Sequence, residues 1–422
     1  MRLLFFSTSY PNPLQPRIGS FNHSLIQALA EDHWVRVVAP IPWTSELAIT
    51  RRTGRRMPDG RMSYAGGVPA VHPRFYYFPR LMPSQLARTM EWSCAPCLDQ
   101  QIQAFRPDAV VSYWADPDGR VALDAARRHS LPAITMSGGS DVLVLARGGQ
   151  RRTAIFSVLK ESDAVIAVSQ DIANVVISGG VQPEKVTVVR RGVDRAVFTP
   201  GNRLEARHRL GIDPTRKMFL FVGRLVPVKG LSTLIEAADQ LRRQGVDFAC
   251  YVCGEGSLRA RLESQVRSRG LERSIYFSGS QPQEQLVDWY RAADFTVLPS
   301  LSEGIPNVLM ESMCCETPFV ASNVGGIPEI ADPNHDQLGP VGNSESWAEA
   351  LKQQLLRPCS RTERIFRPMT WTDSAAQLAR VAERLTAQPM QSLLPLTQPA
   401  KDQTHATTAV TTDGCKVIAE TT

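Results

Sequence analysis

The stretch FTVLPSLSEGIPNVLME, residues 295–311, contains the pattern that decides the fold. Its apolar start, Phe295–Leu298, predicts a buried strand, and Gly304 and Pro306 predict a loop before a helix that begins near Asn307. A strand, a loop and a helix start in this order place free backbone N–H groups and the positive end of a helix dipole at the carboxyl edge of a parallel sheet. The stretch therefore predicts an α/β protein that binds an anion, above all phosphate, after this strand.

Two carboxylates border this predicted anion site at different depths. Glu303 lies in the loop, and Glu311 lies about one turn into the helix. One interpretation is that both contact a bound ligand. The other is that Glu303 is a solvated loop residue and that Glu311 only stabilises the helix dipole. The spacing alone leaves both interpretations open.

A second loop carries two cations at the same kind of position. It runs over residues 223–230, between a predicted strand at 218–222 and a predicted helix at 231–243. Arg224 offers a fork of donors to phosphate oxygens, and Lys229 offers a mobile point charge. Alone, these two residues are typical of exposed turn cations. Together with two carboxylates and a helix start, they predict a ligand site at one edge of a parallel sheet.

Short apolar runs alternate with longer amphipathic stretches along most of the chain, which is typical of βαβ units. The alternation pauses at a Pro-Gly step, residues 200–201, and then resumes. We therefore predict two doubly wound α/β domains, residues 1–200 and 201–365, and a disordered tail at 388–422, which is poor in large apolar residues. The predicted strands are residues 3–7, 35–39, 109–113, 133–136, 164–168, 186–189, 218–222, 248–253, 275–278, 295–298 and 318–322.

Charge and hydropathy exclude several classes of protein. The chain has 47 Lys and Arg against 41 Asp and Glu, and this net charge of +6 over 422 residues is too dilute for a dedicated nucleic-acid binder. No apolar run approaches the roughly 18 residues of a transmembrane helix. The apolar run at residues 3–6 is shorter than the about 7–15 residues of a secretory signal. We expect a cytoplasmic protein whose first strand lies there.

Cysteine spacing gives little support for a metal site. Of the eight cysteines, two pairs have Cys-x-x-Cys spacing, Cys94 with Cys97 and Cys250 with Cys253. The second pair lies in a predicted strand, where residues three apart point to opposite faces and cannot share one metal ion. For the first pair we expect ordinary buried cysteines, with a redox pair as the alternative. We predict that the protein has no metal site.

Taken together, these segments resemble the retaining glycosyltransferases of family 4, which have the GT-B fold and use nucleotide diphosphosugars. The resemblance rests on Glu303-x7-Glu311 within SEGIPNVLME and on Gly223-Arg224-Leu225 with Lys229-Gly230. It implies two Rossmann-like domains that face a cleft, with the donor in the second domain, the acceptor in the first, and a helix at 366–387 that crosses back. Further matching segments are residues 19–21, 116–119, 139–142, 254–256, 277–279, 294–300 and 324–329.

The resemblance also implies a catalytic set. Arg224 and Lys229 would hold the donor diphosphate and stabilise the leaving group without a metal ion, and Glu303 would lie beside the donor sugar. Glu311 would accept the ribose hydroxyls. Gly19 would let a loop of the first domain approach the diphosphate closely. No cofactor is implied beyond the co-substrate, a UDP-, GDP- or ADP-sugar.

Further contacts follow from the same resemblance. The loop amides would bind the donor sugar or phosphate, and the first domain would bind the sugar or the acceptor, which is expected to be a glycan or a lipid-linked molecule. The implied donor contacts in the loop are Gly304, Ile305, Pro306, Asn307 and Val308. The implied sugar or acceptor contacts are Ser140, Asp141 and Asp116.

One position departs from the family pattern. Many relatives place His or Arg immediately before Gly-Ser-Asp-Val, where it reaches the donor sugar, whereas this chain has Gly138. Either Ser137, Ser140 or Asp141 replaces that function, or the enzyme is slow or altered in donor choice. The alternative function is a catalytically degraded nucleotide-sugar binding protein. An NAD-dependent enzyme is disfavoured, since no Gly-x-Gly-x-x-Gly follows the first strand of either domain.

Much of the positive charge lies in one part of the first domain. Aromatic residues and arginines are interleaved at 74–81, close to a cluster of further arginines. This region predicts contact with an anionic membrane surface at the inner face of the plasma membrane, or with a lipid diphosphate acceptor. The alternative is a solvated loop beside a strand that buries alternate aromatics. No RNA-binding motif is present, so we expect no nucleic-acid partner. The clustered arginines are Arg51, Arg52, Arg55, Arg56 and Arg61.

Overall fold

The computed structural model describes residues 1–77, 85–146, 148–357, 364 and 366–387. Within these residues the chain forms two large sheets and a two-stranded one, β3 (Ile41–Pro42) with β6 (Arg74–Phe75). The predicted disordered tail, residues 388–422, lies outside the described residues, as do 78–81 of the aromatic and basic segment.

The first sheet has eight strands, which are parallel except for the β4–β5 hairpin at one edge. In spatial order they are β10 (Val186–Val188), β9 (Ala164–Ala167), β8 (Ala133–Ser137), β7 (Ala109–Tyr113), β1 (Arg2–Phe6), β2 (Trp34–Val38), β5 (Val68–Val71) and β4 (Met62–Ala65).

The second sheet has six strands, all of them parallel. In spatial order they are β13 (Ile275–Gly279), β12 (Ala249–Cys253), β11 (Met218–Val222), β14 (Phe295–Leu298), β15 (Phe319–Ser322) and β16 (Gln337–Gly339).

Helices connect the strands of both sheets. They are α1 (Ser20–Asp32), α2 (Trp43–Thr53), α3 (Leu86–Phe105), α4 (Arg120–Arg128), α5 (Gly149–Glu161), α6 (Gln170–Ser178), α7 (Arg203–Leu210), α8 (Leu231–Arg243), α9 (Arg259–Ser268), α10 (Gln283–Ala292), α11 (Asn307–Cys314), α12 (Ser344–Leu356) and α13 (Trp371–Ala387).

Each sheet has a switch point, where the strand order reverses. In the first sheet the chain moves outward from β1 through β2 and returns to β7 on the other side of β1; in the second sheet β11 and β14 stand in the same relation. Loops that leave two such strands diverge and open a crevice at the carboxyl edge of the sheet. The loop after β11 and the loop after β14 are therefore neighbours, which confirms the predicted doubly wound architecture.

Alternate residues of the central strands fill two separate cores. Leu3 and Phe5 of β1 pack in one cluster with α1 and α13, whereas Leu4 and Phe6 pack in another with α3 and α4. Both faces of the first sheet are thus covered, which explains the continuous apolar run of β1. The chain returns to this sheet through α13, whose Leu378 lies in the same cluster as Leu3 and Phe5.

Each predicted strand is present, with ends that differ by at most one residue. The sequence analysis missed β3, β4, β5, β6 and β16, whose residues are partly exposed or too few to form an apolar run. The alternative interpretation of the basic region was a solvated loop, and Arg51 and Arg52 instead lie in α2.

Three of the four paired cysteines are buried, and Cys97 is half-buried. Cys250 and Cys253 lie in β12, and burial raises the pKa of both thiols. Cys94 and Cys97 lie in α3, where burial also raises their pKa values, so the reactive thiolate form is disfavoured. No group of three or more His, Cys, Asp or Glu side chains that could hold a metal ion occurs in the described residues. No described helix is both long and apolar enough to cross a membrane.

Candidate functional site

The switch point of the second sheet brings together two of the predicted site residues. Lys229 follows β11 and Glu303 follows β14, and Lys229 Nζ lies 2.5 Å from Glu303 Oε1. Both side chains are mostly buried. The sequence analysis placed both residues at the carboxyl edge of the sheet; their direct ion pair is a finding of the structure.

A tight approach of two loops fixes this ion pair. Gly230 has φ = 66°, and a Cβ there would lie 1.9 Å from the Pro299 carbonyl oxygen. Only glycine tolerates both the left-handed backbone and the contact. The Leu301 N–H donates to the Val228 carbonyl at 2.8 Å and joins the same two loops. The backbone that carries Lys229 is therefore held in a fixed position relative to the Glu303 loop.

Arg224 lies on the exposed side of the same loop. The structure gives its side chain no acidic or hydrogen-bonding partner among the described residues. The following residue, Leu225, is buried, and its N–H donates to the Glu255 carbonyl at 2.9 Å. A Cβ at Gly256 would lie 2.3 Å from the Leu225 carbonyl oxygen, so Gly254 and Gly256 support the Arg224 loop.

The start of α11 presents unpaired backbone donors beside Glu303. In the described part of the chain the N–H groups of Gly304, Ile305, Asn307 and Val308 have no acceptor. Four of the five predicted loop residues thus have an available amide, and Pro306 is the exception. Pro306 has no N–H and cannot donate a hydrogen bond. The Ile305 side chain is 1% exposed and packs in the core, so only its backbone is available.

Glu311 lies on α11, one turn beyond the loop. Its Oε2 accepts a hydrogen bond from the Tyr290 hydroxyl at 2.7 Å. Burial raises the pKa of Glu311 to about 7, and the bond from Tyr290 opposes part of this rise. Near neutral pH this carboxyl group is therefore divided between its charged and neutral forms.

The loop after β8 lies against the Glu303 loop from the side of the first sheet. A Cβ at Gly139 would lie 3.1 Å from Gly304 Cα, and a Cβ at Gly304 would lie 2.8 Å from the Gly138 carbonyl oxygen. The carboxyl edges of the two sheets therefore meet here, with glycine on both sides. A side chain at either position would push the loops apart.

The structure shows why residue 138 is glycine. A Cβ there would lie 1.9 Å from the Tyr113 hydroxyl and 3.0 Å from Arg191 Nη2. Arg191 donates a hydrogen bond to that hydroxyl. The space that a larger residue 138 would need is thus taken by Tyr113 and Arg191, two residues that the sequence analysis did not identify. No local signal could have found them, because both lie far from residue 138 in sequence.

Two acids near β7 and β8 hold loops in place. Asp141 is fully buried; its Oδ1 accepts from Ser137 Oγ at 3.1 Å and from the Gly139 N–H at 3.0 Å. Asp118, which the sequence analysis passed over, accepts from the Thr8 N–H at 3.1 Å and from its hydroxyl at 2.9 Å. Burial raises the pKa of Asp118 to about 7 and also raises that of Asp141.

The other predicted contacts of the first domain are spread around this edge. Ser140 is exposed, and Asp116 is half-buried, with burial raising its pKa. Gly19 has φ = 60°, and a Cβ there would lie 2.1 Å from the Ser9 carbonyl oxygen. Glycine at position 19 is therefore required by the protein's own backbone, whatever ligand approaches it.

Glu329 links the two sheets and was also missed. It accepts hydrogen bonds from the N–H groups of Gln170 at 3.0 Å and Asp171 at 2.8 Å, at the start of α6, and pairs with Arg190 at 3.0 Å. A carboxylate is favoured at a helix N-terminus. Glu329 thus fixes the loop after β15 against α6.

The basic region of the first domain carries less free charge than its sequence indicates. Glu46 of α2 pairs with Arg61 at 3.0 Å and with Arg74 at 2.8 Å. The hydrogen bond from Arg74 lowers the pKa of Glu46, and the bond from Arg61 adds to this effect. The resulting pKa is about 2, although burial opposes the shift. These three residues line a cavity of about 580 Å³ with Arg56. Among the described residues of this region, the exposed cations without an acidic partner are Arg51, Arg52, Arg55 and Arg56.

Family models match the chain in two consecutive parts. Residues 18–197 match the model described as Glycosyltransferase Family 4, and residues 202–366 match the model described as Glycosyl transferases group 1.

Curated relatives support the same assignment. A D-inositol 3-phosphate glycosyltransferase of Thermobispora bispora is 31% identical over 366 residues, which cover 79% of this chain and 83% of the relative. A protein of the same name from Mycobacteroides abscessus is 33% identical over 236 residues, and there the match spans 54% of this chain and only 52% of the relative. The putative teichuronic acid biosynthesis glycosyltransferase TuaC of Bacillus subtilis is 27% identical, over 83% of this chain and 88% of TuaC.

Solved structures share the fold. A sucrose-phosphate synthase from Thermosynechococcus elongatus superposes with a TM-score of 0.73 at 19% identity, over 92% of this chain and 99% of that chain. Anabaena HepE in complex with UDP-glucose gives a TM-score of 0.66 at 17% identity, over 92% and 99%. The chain belongs to the GT-B glycosyltransferases of family 4.

Proposed function

We propose that the protein transfers a sugar from a nucleotide diphosphosugar to an acceptor hydroxyl, with retention of the anomeric configuration. The observation that carries this proposal is the junction at the switch point of the second sheet. There Lys229 and Glu303 meet at 2.5 Å, and unpaired amides at the start of α11 lie beside them. Cation, carboxylate and oriented N–H groups are the donors and acceptors that a phosphosugar needs.

The charges at this junction favour a diphosphate. Arg224 and Lys229 together carry two positive charges, and Glu303 carries one negative charge. The resulting positive potential attracts the diphosphate, and the mostly buried position of Lys229 strengthens the attraction. When phosphate oxygens bind Lys229, Glu303 becomes free to accept hydrogen bonds from sugar hydroxyls. We propose that Glu311 accepts the ribose hydroxyls.

The same cations would act in the transition state. As the bond between the sugar C1 and the phosphate oxygen breaks, the leaving nucleoside diphosphate gains negative charge. Arg224 and Lys229 stabilise that charge more than they stabilise the intact donor, which accelerates the reaction. We propose that they do so without a metal ion or another cofactor. The acceptor oxygen attacks C1 from the face that the phosphate leaves, and the departing phosphate takes the acceptor proton.

We propose that the acceptor is a glycan or a lipid-linked molecule of the cell envelope. The relatives named for D-inositol 3-phosphate and for teichuronic acid biosynthesis support an acceptor that carries an anionic group. The exposed arginines at 51–56 and the cavity beside them would place the first domain at an anionic membrane surface.

Flotation with vesicles tests the membrane part of the proposal. Vesicles with anionic lipid should carry the protein upward at low salt, and neutral vesicles should not. Replacing Arg51, Arg52, Arg55 and Arg56 together with alanine should abolish flotation. In the control variant, four exposed arginines of α8 and α9 are replaced with alanine, so that both variants have the same net charge. This control should float as the unchanged protein does. Equal flotation of both variants would contradict a role for the 51–56 region.

A ligand screen tests the reaction itself. Thermal denaturation with UDP, GDP and ADP, followed by the sugars of the stabilising nucleotide, should identify one donor. Transfer or hydrolysis of that donor would then support an enzyme. Stabilisation by nucleotide with no turnover would instead support the alternative, a catalytically degraded nucleotide-sugar binding protein. No stabilisation by any of the three nucleotides would contradict both functions.

A further inference from the structure

Two adjacent arginines on the connection between the sheets have different partners. Arg190 pairs with Glu329 at 3.0 Å. For Arg191, no carboxylate of the described residues lies within 4.0 Å. Neighbouring residues of an extended segment point to opposite sides, so one guanidinium joins the second sheet and the other turns toward the first.

Arg191 is nevertheless held firmly. It donates a hydrogen bond to the Tyr113 hydroxyl, and its guanidinium carbon lies 4.3 Å from the centroid of the Phe21 ring. Tyr113 is only 3% exposed, and burial keeps its hydroxyl neutral by raising its pKa. A neutral hydroxyl and an aromatic face compensate a half-buried cation only in part. The local potential therefore favours an anion beside Arg191.

Arg191 lies at the edge where the two sheets meet. A Cβ at Gly138 would lie 3.0 Å from Arg191 Nη2. A Cβ at Gly304 would lie 2.8 Å from the Gly138 carbonyl oxygen. Gly304 directly follows Glu303, the partner of Lys229. Arg191, on the connection between the sheets, and Lys229, on the second sheet, thus both lie next to the crevice where the carboxyl edges of the two sheets meet.

We propose that Arg191, held by Tyr113 and Phe21, binds a phosphoryl group in this crevice. This inference rests on the proposed function and extends it to the first-sheet side of the site. The guanidinium fork matches two oxygens of one phosphoryl group. That group belongs either to the donor diphosphate or to a phosphate on the acceptor. Glycine at 138 is then a requirement of the arrangement, since any side chain there would displace the Tyr113 hydroxyl.

Calorimetric titration of the purified full chain tests this proposal with two probes. One probe is the nucleoside diphosphate that stabilises the protein, and the other is inorganic phosphate. Arg191→Ala should weaken at least one of them about tenfold or more, because it removes a charged hydrogen-bond donor. Arg191→Lys keeps the charge and should recover part of the loss. A loss for the diphosphate assigns the donor, and a loss for inorganic phosphate alone assigns the acceptor.

Arg36 provides a matched control. Its guanidinium also stacks on an aromatic ring, 4.7 Å from the centroid of Phe105, and donates to the neutral side chain of Gln101. Arg36→Ala should leave both titrations unchanged. Tyr113→Phe should weaken the same probe as Arg191→Ala, and the two changes together should cost less than their sum, because they remove one unit.

Clear outcomes would overturn the proposal. If folded Arg191→Ala binds both probes as the unchanged protein does, Arg191 has only a structural role. If the unchanged protein binds inorganic phosphate through Arg191 but no nucleoside diphosphate, the proposed sugar transfer fails while the phosphoryl site stands. If Lys229→Ala loses the diphosphate and Arg191→Ala loses neither probe, sugar transfer stands and the Arg191 site fails. Binding of neither probe to the unchanged protein contradicts both.

Discussion

The two switch points use their acids in different ways. At the second sheet, Glu303 and Glu311 keep some solvent exposure although most of each side chain is buried, and each has a single side-chain partner in the described structure. At the first sheet, Asp118 and Asp141 are fully buried and accept hydrogen bonds from the loops that surround them. The same topology thus supports two functions: acids that keep some exposure are available to a ligand, and buried acids hold the loops that donate to them. Only one oxygen of each buried acid does so, since Asp118 Oδ1 and Asp141 Oδ2 have no partner among the described residues.

This comparison assigns different costs to the loss of each acid. Removing a carboxylate that is available to bind a ligand should reduce activity and leave the fold stable. Removing one that satisfies buried N–H and O–H groups should leave those donors without partners and lower stability. The predictions below test this division, beginning with the largest effect.

The largest effect is expected at the ion pair of the second sheet. Glu303→Gln and Lys229→Ala should each lower kcat/KM for sugar transfer by about 10²-fold or more, because each removes a preorganised charge from the reacting centre. Steady-state kinetics checks this prediction. Lys352→Ala, which removes a lysine of α12 that donates to Gln244, is the control and should change nothing. Unchanged turnover in both site variants would contradict the assignment of the pair.

The next effect is on stability and concerns the first sheet. Asp118→Ala should lower the free energy of unfolding by about 1–3 kcal/mol, because Ser7 and Thr8 lose their buried acceptor. Urea denaturation measures this change. Asp108→Ala is the control; its carboxylate accepts from the Arg2 N–H at an exposed position and should contribute less. If both variants lose the same free energy of unfolding, the burial of Asp118 does not make it more important for stability than the exposed Asp108.

A pH dependence is expected at Glu311. Ionisation strengthens a carboxylate as an acceptor of ribose hydroxyls, so the affinity for the nucleoside of the donor should rise by about fivefold as the pH passes through 7. The nucleoside is used because it carries no phosphate that titrates in this range. Calorimetry at pH 5.5 and 8 checks the change, and Glu311→Gln should abolish it. A pH-dependent affinity that persists in this variant would exclude Glu311 as its source.

The same shift has a consequence for stability. The pKa of Glu311 is raised in the folded protein from 4.5 to about 7, so the folded state binds the proton more tightly than the unfolded state. Its contribution to stability is complete below pH about 4.5 and is lost as the pH rises toward 7. Relative to Glu311→Gln, the unchanged protein should therefore lose free energy of unfolding over this interval.

The smallest effect is expected at Glu329, the acid that joins the two regions. Glu329→Gln should lower the free energy of unfolding by about 0.5–1 kcal/mol, because it removes the charge beside α6 and Arg190. Glu345→Gln, a change in the first turn of α12 with no link between the sheets, is the control. A smaller loss for Glu329→Gln than for the control would contradict its role as a link.

The strands and the edge that carries the site could be predicted because they depend on local patterns. Apolar runs such as Phe295–Leu298 locate parallel strands, and parallel strands present their following loops at one edge. The positions of Glu303 and Lys229 therefore followed from the sequence. The short edge strands did not, since Met62–Ala65 and Gln337–Gly339 lack a continuous apolar run.

Long-range contacts account for what the sequence did not predict. Glu46 pairs with Arg61 and Arg74, which are distant in sequence, and offsets one of their two charges. The reason for Gly138 is equally distant, since Tyr113 and Arg191 reach it from other strands and connections. One point needed no structure: proline has no N–H, so Pro306 could have been excluded from the loop amides that donate hydrogen bonds.

The most direct test of the central claim is a calorimetric titration with the donor nucleoside diphosphate. Arg224→Ala and Lys229→Ala should each weaken its affinity by about tenfold or more, and Lys352→Ala should leave it unchanged. That result would establish the loop after β11 as the diphosphate site. Equal affinity in all three variants and in the unchanged protein would contradict it.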